Sequence, residues 1–141
     1  MRLNTLLMVA TAAIALAGCN KAESPTEVRH DVADARADAQ RKVADAQADA
    51  RENMADAQKD VADARNDHDA NETADASHKA SETAAKGDYK VAVAEAEASH
   101  KVAIEKCEAL SGTAQKDCKD RADSDLDYAK KQAEMRRDGS G

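Results

Sequence analysis

The chain has 141 residues, of which 42% are apolar, 35% are charged and 1% are aromatic, and its formal net charge is −7 at pH 7. It has 34 alanines but no Trp and no Phe, so most of its apolar side chains bury little area. This composition excludes most globular enzymes, because alanine alone cannot build a sizeable core. The acidic balance disfavours nucleic acid and anionic lipid surfaces as partners. Few residues break helices, which favours long exposed helices.

Residues 1–18 have the pattern of a bacterial signal peptide. A short basic start precedes an apolar run at 6–18, which is shorter than the roughly 20 residues needed to cross a bilayer. The run ends in Leu-Ala-Gly-Cys at 16–19, a sequence that resembles the lipobox of bacterial lipoproteins. The resemblance implies cleavage between Gly18 and Cys19 and acylation of the Cys19 thiol. We therefore expect no cofactor other than this covalent lipid.

An acylated Cys19 predicts attachment to a membrane. Each CH₂ group buried in the bilayer contributes about 0.8 kcal/mol, so two or three acyl chains keep a protein on the membrane where one acyl chain would not. By resemblance to lipoprotein sorting rules, Asn20 after the lipidated cysteine favours the outer membrane. We expect a lipid-anchored protein of the bacterial cell envelope that faces the periplasm. In that oxidising compartment, Cys107 and Cys118 are left as a pair for a disulfide.

After a lipidated tether at 19–24, residues 25–65 predict one Ala/Asp-rich repeat helix. Ser24 and Glu27 match a capping box, with Pro25 at the first helical position. Beyond them an 11-residue unit recurs, and its larger apolar residues fall on one helical stripe, which we call the seam. Such a repeat averages about 3.67 residues per turn, so helices joined along it would pack nearly straight or with slight right-handed supercoiling. The seam consists of Val28, Val32, Ala35, Ala39, Val43, Ala46, Ala50, Met54, Ala57, Val61 and Ala64.

Aspartates form an acidic ridge beside the seam, because an Asp repeatedly precedes a seam residue and one residue is about 100° of rotation. The ridge would be either a docking surface for a basic partner or divalent cations, or a solvated flank that keeps the rod soluble. We favour the solvated flank. The acidic ridge consists of Asp31, Asp34, Asp38, Asp45, Asp49, Asp56, Asp60 and Asp63.

The seam fades between residues 66 and 88. Asn, Asp, Ser and Thr lower helix propensity here, and we expect a weak helix or a hinge. One unbroken helix over residues 26–110 would be about 130 Å long.

Residues 89–136 predict a helical hairpin pinned by a disulfide, followed by a frayed tail at 137–141. Gly112 suits the left-handed position after the first helix, and Thr113 suits the N-cap of the second. Cys107 and Cys118 would then face each other near the turn; two free thiols or a metal pair are less favoured, because the spacing is not that of a zinc site. The two apolar faces consist of Tyr89, Val93, Ala96, Ala103, Cys107 and Leu110, and of Ala114, Cys118, Ala122, Leu126, Ala129 and Ala133.

Two parts of the chain resemble envelope proteins. The lipobox and the Ala-rich repeats over residues 1–65 are similar to the murein lipoproteins, whose helices trimerise and link the outer membrane to the cell wall. Residues 89–92 and 102–112, with Cys118, resemble a C-terminal segment of TolA-like envelope proteins. The resemblance implies contacts with an envelope protein or peptidoglycan, and the seam allows a homo-oligomer.

The sequence shows no motif of an active site. It has no phosphate-binding Gly loop, no nucleophile with a neighbouring base and no paired-histidine metal motif. We expect an all-α protein that is not an enzyme, holds no metal and has a structural or spacer role at the outer membrane. Two alternatives stay open: a largely disordered stress protectant, since such repeats also resemble late-embryogenesis-abundant proteins, and a stalked module whose hairpin binds another envelope protein.

Overall fold

The computed structural model describes residues 21–139, which form three α-helices and no strand. Helix α1 spans Pro25–Asn66, α2 spans Ala70–Cys107 and α3 spans Gly112–Asp138. The predicted all-α class, with a long repeat helix and a C-terminal hairpin, is confirmed. The predicted signal peptide and Cys19 lie outside the described residues.

Helix α1 begins at a complete capping box. The Ser24 amide donates to Glu27 Oε2 at 2.9 Å, and the Glu27 amide donates to Ser24 Oγ at 3.3 Å. Hydrogen bonding of the Glu27 carboxyl to the side chain and the backbone amide of Ser24 lowers the pKa of that carboxyl. With Pro25 in the first turn, α1 continues for 42 residues, which is about 63 Å of helix.

The region at 66–88 contains a short turn and then regular helix. His68 adopts φ 59°, the left-handed conformation that ends α1. Asp69 starts α2, since its Oδ1 accepts from the amides of Asn71 and Glu72 at 2.8 and 3.1 Å. The low propensity of this stretch is overcome by the cap and by packing on α1, while its hydroxyls bond within the helix. The hydroxyls of Thr73, Ser77 and Ser81 each donate to the carbonyl four residues earlier.

The seam of α1 lies against α2 of the same chain in an antiparallel pair. Every seam residue is buried or half-buried, and Val32, Ala35 and Ala39 are the most buried of them. The two helices approach so closely that a Cβ at Gly87 would lie 3.2 Å from the Ala50 Cβ. A homo-oligomer through the seam would therefore require α1 to leave α2.

Helices α2 and α3 form the hairpin, and the predicted disulfide is confirmed. Cys107 is 1% exposed, and its Cα lies 5.7 Å from that of Cys118. Gly112 has φ 59°, the predicted left-handed conformation, but it does not directly follow the first helix, because α2 ends at Cys107 and Gly112 is the first residue of α3. The prediction for Thr113 is wrong, because α3 begins at Gly112 and Ser111 is its N-cap. The prediction that Leu110 lies on the apolar face of the first hairpin helix is also wrong. Helix α2 ends before it, so Leu110 lies in the turn and is 39% exposed.

The three helices lie side by side with α2 in the middle. Helices α1 and α3 each pack on α2, but no Cα of α1 is within 8 Å of a Cα of α3 among the described residues. Helix α3 ends beside Tyr89, where the Arg137 guanidinium lies 4.7 Å from the ring centroid. The molecule therefore has a stapled half of three helices, at 24–50 and 89–138, and a two-helix half at 51–88.

Candidate functional site: the stapled end

The segment that precedes α1 packs on the turn between α2 and α3. The Glu23 amide donates to the Glu108 carbonyl at 2.9 Å. Glu108 directly follows the disulfide cysteine Cys107. The start of the described chain and the disulfide thus lie together, and we call this region the stapled end.

Side chains tie the stapled end across the turn. The Glu108 carboxylate pairs with Lys119 Nζ at 2.5 Å and accepts from Gln115 Nε2 at 2.6 Å. Gln115 is 3% exposed, so its amide is held in place by this bond. Together with the disulfide, these contacts fix the first turns of α3 against the end of α2.

Glu23 is an electrostatically unfavourable member of the stapled end. Its Oε2 is buried and has no hydrogen-bond partner among the described residues. Desolvation raises the pKa of the Glu23 carboxyl, and nearby carboxylates raise it further. Because ionisation opposes this contact, the stability that Glu23 contributes is present at low pH and is lost as pH rises through its raised pKa. The neighbouring carboxylates are those of Asp31, Glu108, Glu27 and Glu105.

Part of the acidic ridge faces lysines of α2. Asp38 Oδ2 lies 2.8 Å from Lys101 Nζ, and this hydrogen bond is the main reason that the pKa of Asp38 is lowered. Nearer the turn at 67–69, Asp60 lines a groove in which Lys79 and Lys86 of α2 lie beside other acids, namely Glu72, Asp75 and Glu82. In the folded chain, the basic α2 residue that pairs with the ridge is therefore Lys101.

An ion pair and a contact between a histidine and a carboxylate also join α2 to α3. His100 Nε2 lies 2.6 Å from Asp123 Oδ1, and Lys130 Nζ lies 2.8 Å from Glu97 Oε1. The hydrogen bond to Glu97 raises the pKa of Lys130. The sequence analysis did not predict these contacts, although the positions of the two cysteines were enough to locate them. Once they fix the antiparallel register, the residues that face each other can be counted outward from the disulfide.

One surface cluster has the side chains of a metal site. His30, Asp31 and Asp34 each offer a ligand atom, and these atoms lie within 4.8 Å of one another. His30 and Asp34 are exposed on one side of α1 and Asp31 is half-buried, and His30 Nδ1 lies 3.2 Å from Asp34 Oδ2. That geometry is an ordinary i,i+4 pair on a helix surface.

No helix within residues 21–139 is long and apolar enough to cross a bilayer. The chain matches no family model, no curated protein and no solved structure. Its function is therefore inferred from its own residues and geometry.

Proposed function

We propose that this protein is a spacer of the bacterial cell envelope, anchored at the outer membrane by an acyl group on Cys19 and facing the periplasm. The observation that carries the proposal is the contact between Glu23 and Glu108. Glu23 follows Cys19 by only four residues, so the anchor enters at the stapled end of the rod. The proposed role is structural, with no catalytic residue and no metal.

The length and direction of α1 support this role. The helix starts directly after the tether and runs 42 residues to the turn at 67–69. Its rise places that turn about 63 Å from the stapled end. A lipid at one end of such a rod holds the far turn well away from the bilayer, where it can meet peptidoglycan or another envelope protein.

The disulfide braces the end at which the anchor enters. Cys107 is buried, and Cys118 closes a short loop around the turn that contacts the tether. A loop of this size contributes about 3 kcal/mol to stability in the chain-entropy model. The oxidising periplasm that the lipobox implies is the compartment in which this bond persists.

Attachment is tested by fractionation and lipid labelling of the full chain. Cys19→Ser should abolish both the label and recovery with membranes, while Cys107→Ser should leave both unchanged. Recovery of an unlabelled Cys19→Ser chain with membranes would contradict the proposed anchor.

The spacer role is tested by measuring distance from the bilayer. The lipidated chain is placed in vesicles that hold a headgroup quencher, with a fluorophore at Asp67→Cys in the far turn. A matched label at Leu110→Cys reports on the stapled end, where Leu110 is 39% exposed. We expect strong quenching at 110 and little at 67. Equal quenching at both positions would show a rod that lies along the membrane and would overturn the spacer role.

Circular dichroism separates the spacer from a stress protectant. High helicity in dilute buffer fits a preformed rod. A coil that becomes helical only on drying would favour the protectant.

A further inference from the structure

The two sides of the seam of α1 differ in charge. The residue directly before a seam residue usually belongs to the acidic ridge, whereas the residue directly after a seam residue is always Arg, Gln or Ala. One residue is about 100° of rotation, so these positions follow the side of the seam opposite the ridge. We call the polar residues on this side the arginine row. The arginine row consists of Arg29, Arg36, Gln40, Gln47, Arg51, Gln58 and Arg65.

The arginine row is accessible along α1. Arg36, Gln40 and Gln47 line a groove between α1 and α2. Gln47 is half-buried, and the other residues of the row are exposed. From residue 29 to residue 65 the row is about 54 Å long. The positions between its polar side chains are small, so a thin extended ligand can lie close to the helix. These small residues are Ala33, Ala44, Ala55 and Ala62.

The arginines of the row do not stabilise α1 through ion pairs. None of the four has an acidic residue three or four positions away within α1, which is the spacing at which charged side chains meet on a helix. Among the described residues none of them forms a salt bridge, and Arg29 donates to the Thr26 hydroxyl at 3.4 Å. Arg41, which lies outside the row, instead pairs with Asp38. The guanidinium groups of the row are therefore available to a ligand.

The residue types of the row indicate the chemistry of that ligand. A guanidinium binds a carboxylate or a phosphate through two parallel hydrogen bonds, which an ammonium group does not do. A glutamine amide both donates and accepts, so it matches a hydroxyl group. We infer that the arginine row binds an acidic polysaccharide, a linear polymer that carries both groups, along the length of α1. The inference does not depend on the lipid anchor of the proposed function.

The α2 side of the groove leaves an excess of positive charge. Glu95 lines the groove together with Lys106 and Ser99. Asp88 lies about two turns before Glu95, on the same side of α2. The four arginines and Lys106 outnumber these two carboxylates, although the whole chain has a formal net charge of −7. An anionic polymer should therefore bind along α1 rather than elsewhere on the chain.

Other anionic partners fit the row less well. Proteins that bind single-stranded nucleic acid stack its bases on aromatic side chains, and α1 contains no Phe, Tyr or Trp. Helices that lie on a membrane insert large apolar residues, and an acidic protein partner would need large side chains as anchors at its interface. The row and the positions between its polar residues contain neither. A hydroxyl-rich acidic chain needs only the arginines and glutamines that are present.

Binding of a defined polymer tests the inference. The probe is polygalacturonate, a linear chain with a carboxylate and hydroxyls on each sugar, and neutral dextran is the control polymer. The full chain is used in a neutral detergent, so that the state of Cys19 does not affect the result. We expect binding to polygalacturonate but not to dextran, weakened at least about tenfold when salt rises from about 50 to about 200 mM. The galacturonic acid monomer should bind far more weakly, because it meets one arginine at a time.

Neutral variants give the matched comparison. Changing the four arginines of the row to glutamine should weaken polygalacturonate binding at least about tenfold. The control variant neutralises four cations outside the row, so its net charge is the same, and it should bind like the wild type. Circular dichroism confirms that each variant keeps its helices. The control substitutions are Arg41→Gln, Lys42→Gln, Lys59→Gln and Lys131→Gln.

The glutamines of the row test whether the ligand is a polysaccharide. Changing Gln40, Gln47 and Gln58 to alanine should weaken binding of polygalacturonate several-fold, because its hydroxyls lose their partners. Binding of polyglutamate, an anionic polymer without hydroxyls, should be weaker than that of polygalacturonate in the wild type and unchanged by these substitutions.

Three results would overturn the inference. The first is equal binding of polygalacturonate and dextran. The second is equal weakening by the row variant and the control variant, which would show that net charge alone matters. The third is a different partner that depends on the four arginines: tighter binding of polyglutamate, of a thymidine oligonucleotide or of phosphatidylglycerol micelles, or self-association of the chain without any polymer.

Discussion

The stapled half and the two-helix half share the same helices but differ in how they are stabilised. In the stapled half, α2 has a neighbour on both sides, and buried residues include Val32 and Ala39 of α1 and Ala122 and Ala133 of α3. In the two-helix half, Gly87 is the buried residue among the described positions. Stability should therefore fall along the rod from the stapled end to the far turn, although helix is continuous throughout.

Loss of the disulfide should have the largest effect on this difference. Changing Cys107 and Cys118 to serine should lower the free energy of unfolding by about 3 kcal/mol. Hydrogen exchange should then show that protection falls in α3 and at the end of α2, so that the two halves become more alike. The measurement is urea unfolding with and without reductant. Reductant should not affect the stability of the double variant. Equal stability of the oxidised and reduced wild-type chains would contradict the stabilising role of the disulfide.

A large side chain at Gly87 should give the second-largest loss of stability, and it should destabilise the two-helix half. Gly87→Leu places a side chain where a Cβ already lies 3.2 Å from that of Ala50. We expect a loss of about 1–3 kcal/mol in thermal or urea unfolding, the usual range for overpacking. Ala74→Leu, at an exposed position of the same helix, is the control and should be nearly neutral. Ala50→Gly added to Gly87→Leu should recover part of the loss, and failure to do so would argue against close contact at this site.

The Asp38–Lys101 pair should give a smaller, pH-dependent effect. Because Lys101 lowers the pKa of Asp38, the pair stabilises the fold above the ordinary pKa of an aspartate. That contribution is lost as pH falls through the lowered pKa. Unfolding curves from pH 6 to pH 2 should show a shallower acid loss for Asp38→Asn than for the wild type. Parallel curves would show that the pair does not contribute.

Glu23 should give the smallest effect, with the opposite sign. Its raised pKa means that the wild-type tether is held best at low pH and loosens as pH rises through that value. Glu23→Gln should remove this dependence and protect the tether at neutral pH. Limited proteolysis across a pH series, with cleavage near residue 23 as the readout, measures the change. Faster cleavage of the variant than of the wild type at neutral pH would contradict the assignment.

Local signals predicted much of this fold. Ser24, Pro25 and Glu27 mark the start of α1, and the 11-residue repeat marks the face that α1 buries. Gly112 marked the hairpin turn, and Cys107 and Cys118 on either side of it predicted the disulfide, because a disulfide needs two cysteines whose Cα atoms lie close together. In each case the residues that make the signal are close together in the chain.

What covers the seam could not be predicted in the same way. A stripe of Ala and Val packs equally well on another chain or on a later segment of its own chain. The seam packs on its own chain because a turn of three residues at 67–69 reverses the chain direction after α1. In this turn His68 takes a left-handed conformation that its residue type does not require. Leu110 was misplaced because helical periodicity does not report where a helix ends. The lipid on Cys19, the compartment and the partner stay predictions.

The entry of the tether beside the disulfide has a mechanical consequence. A pull between the bilayer and a partner held at residues 67–69 would follow α1 as its covalent path, because α1 joins the tether to that turn without a break. Helices α2 and α3 lie outside this covalent path and, packed side by side with α1, would resist bending of the rod. The repeat helix α1 would then link the membrane anchor to the partner, and the disulfide-bonded hairpin would keep α1 straight.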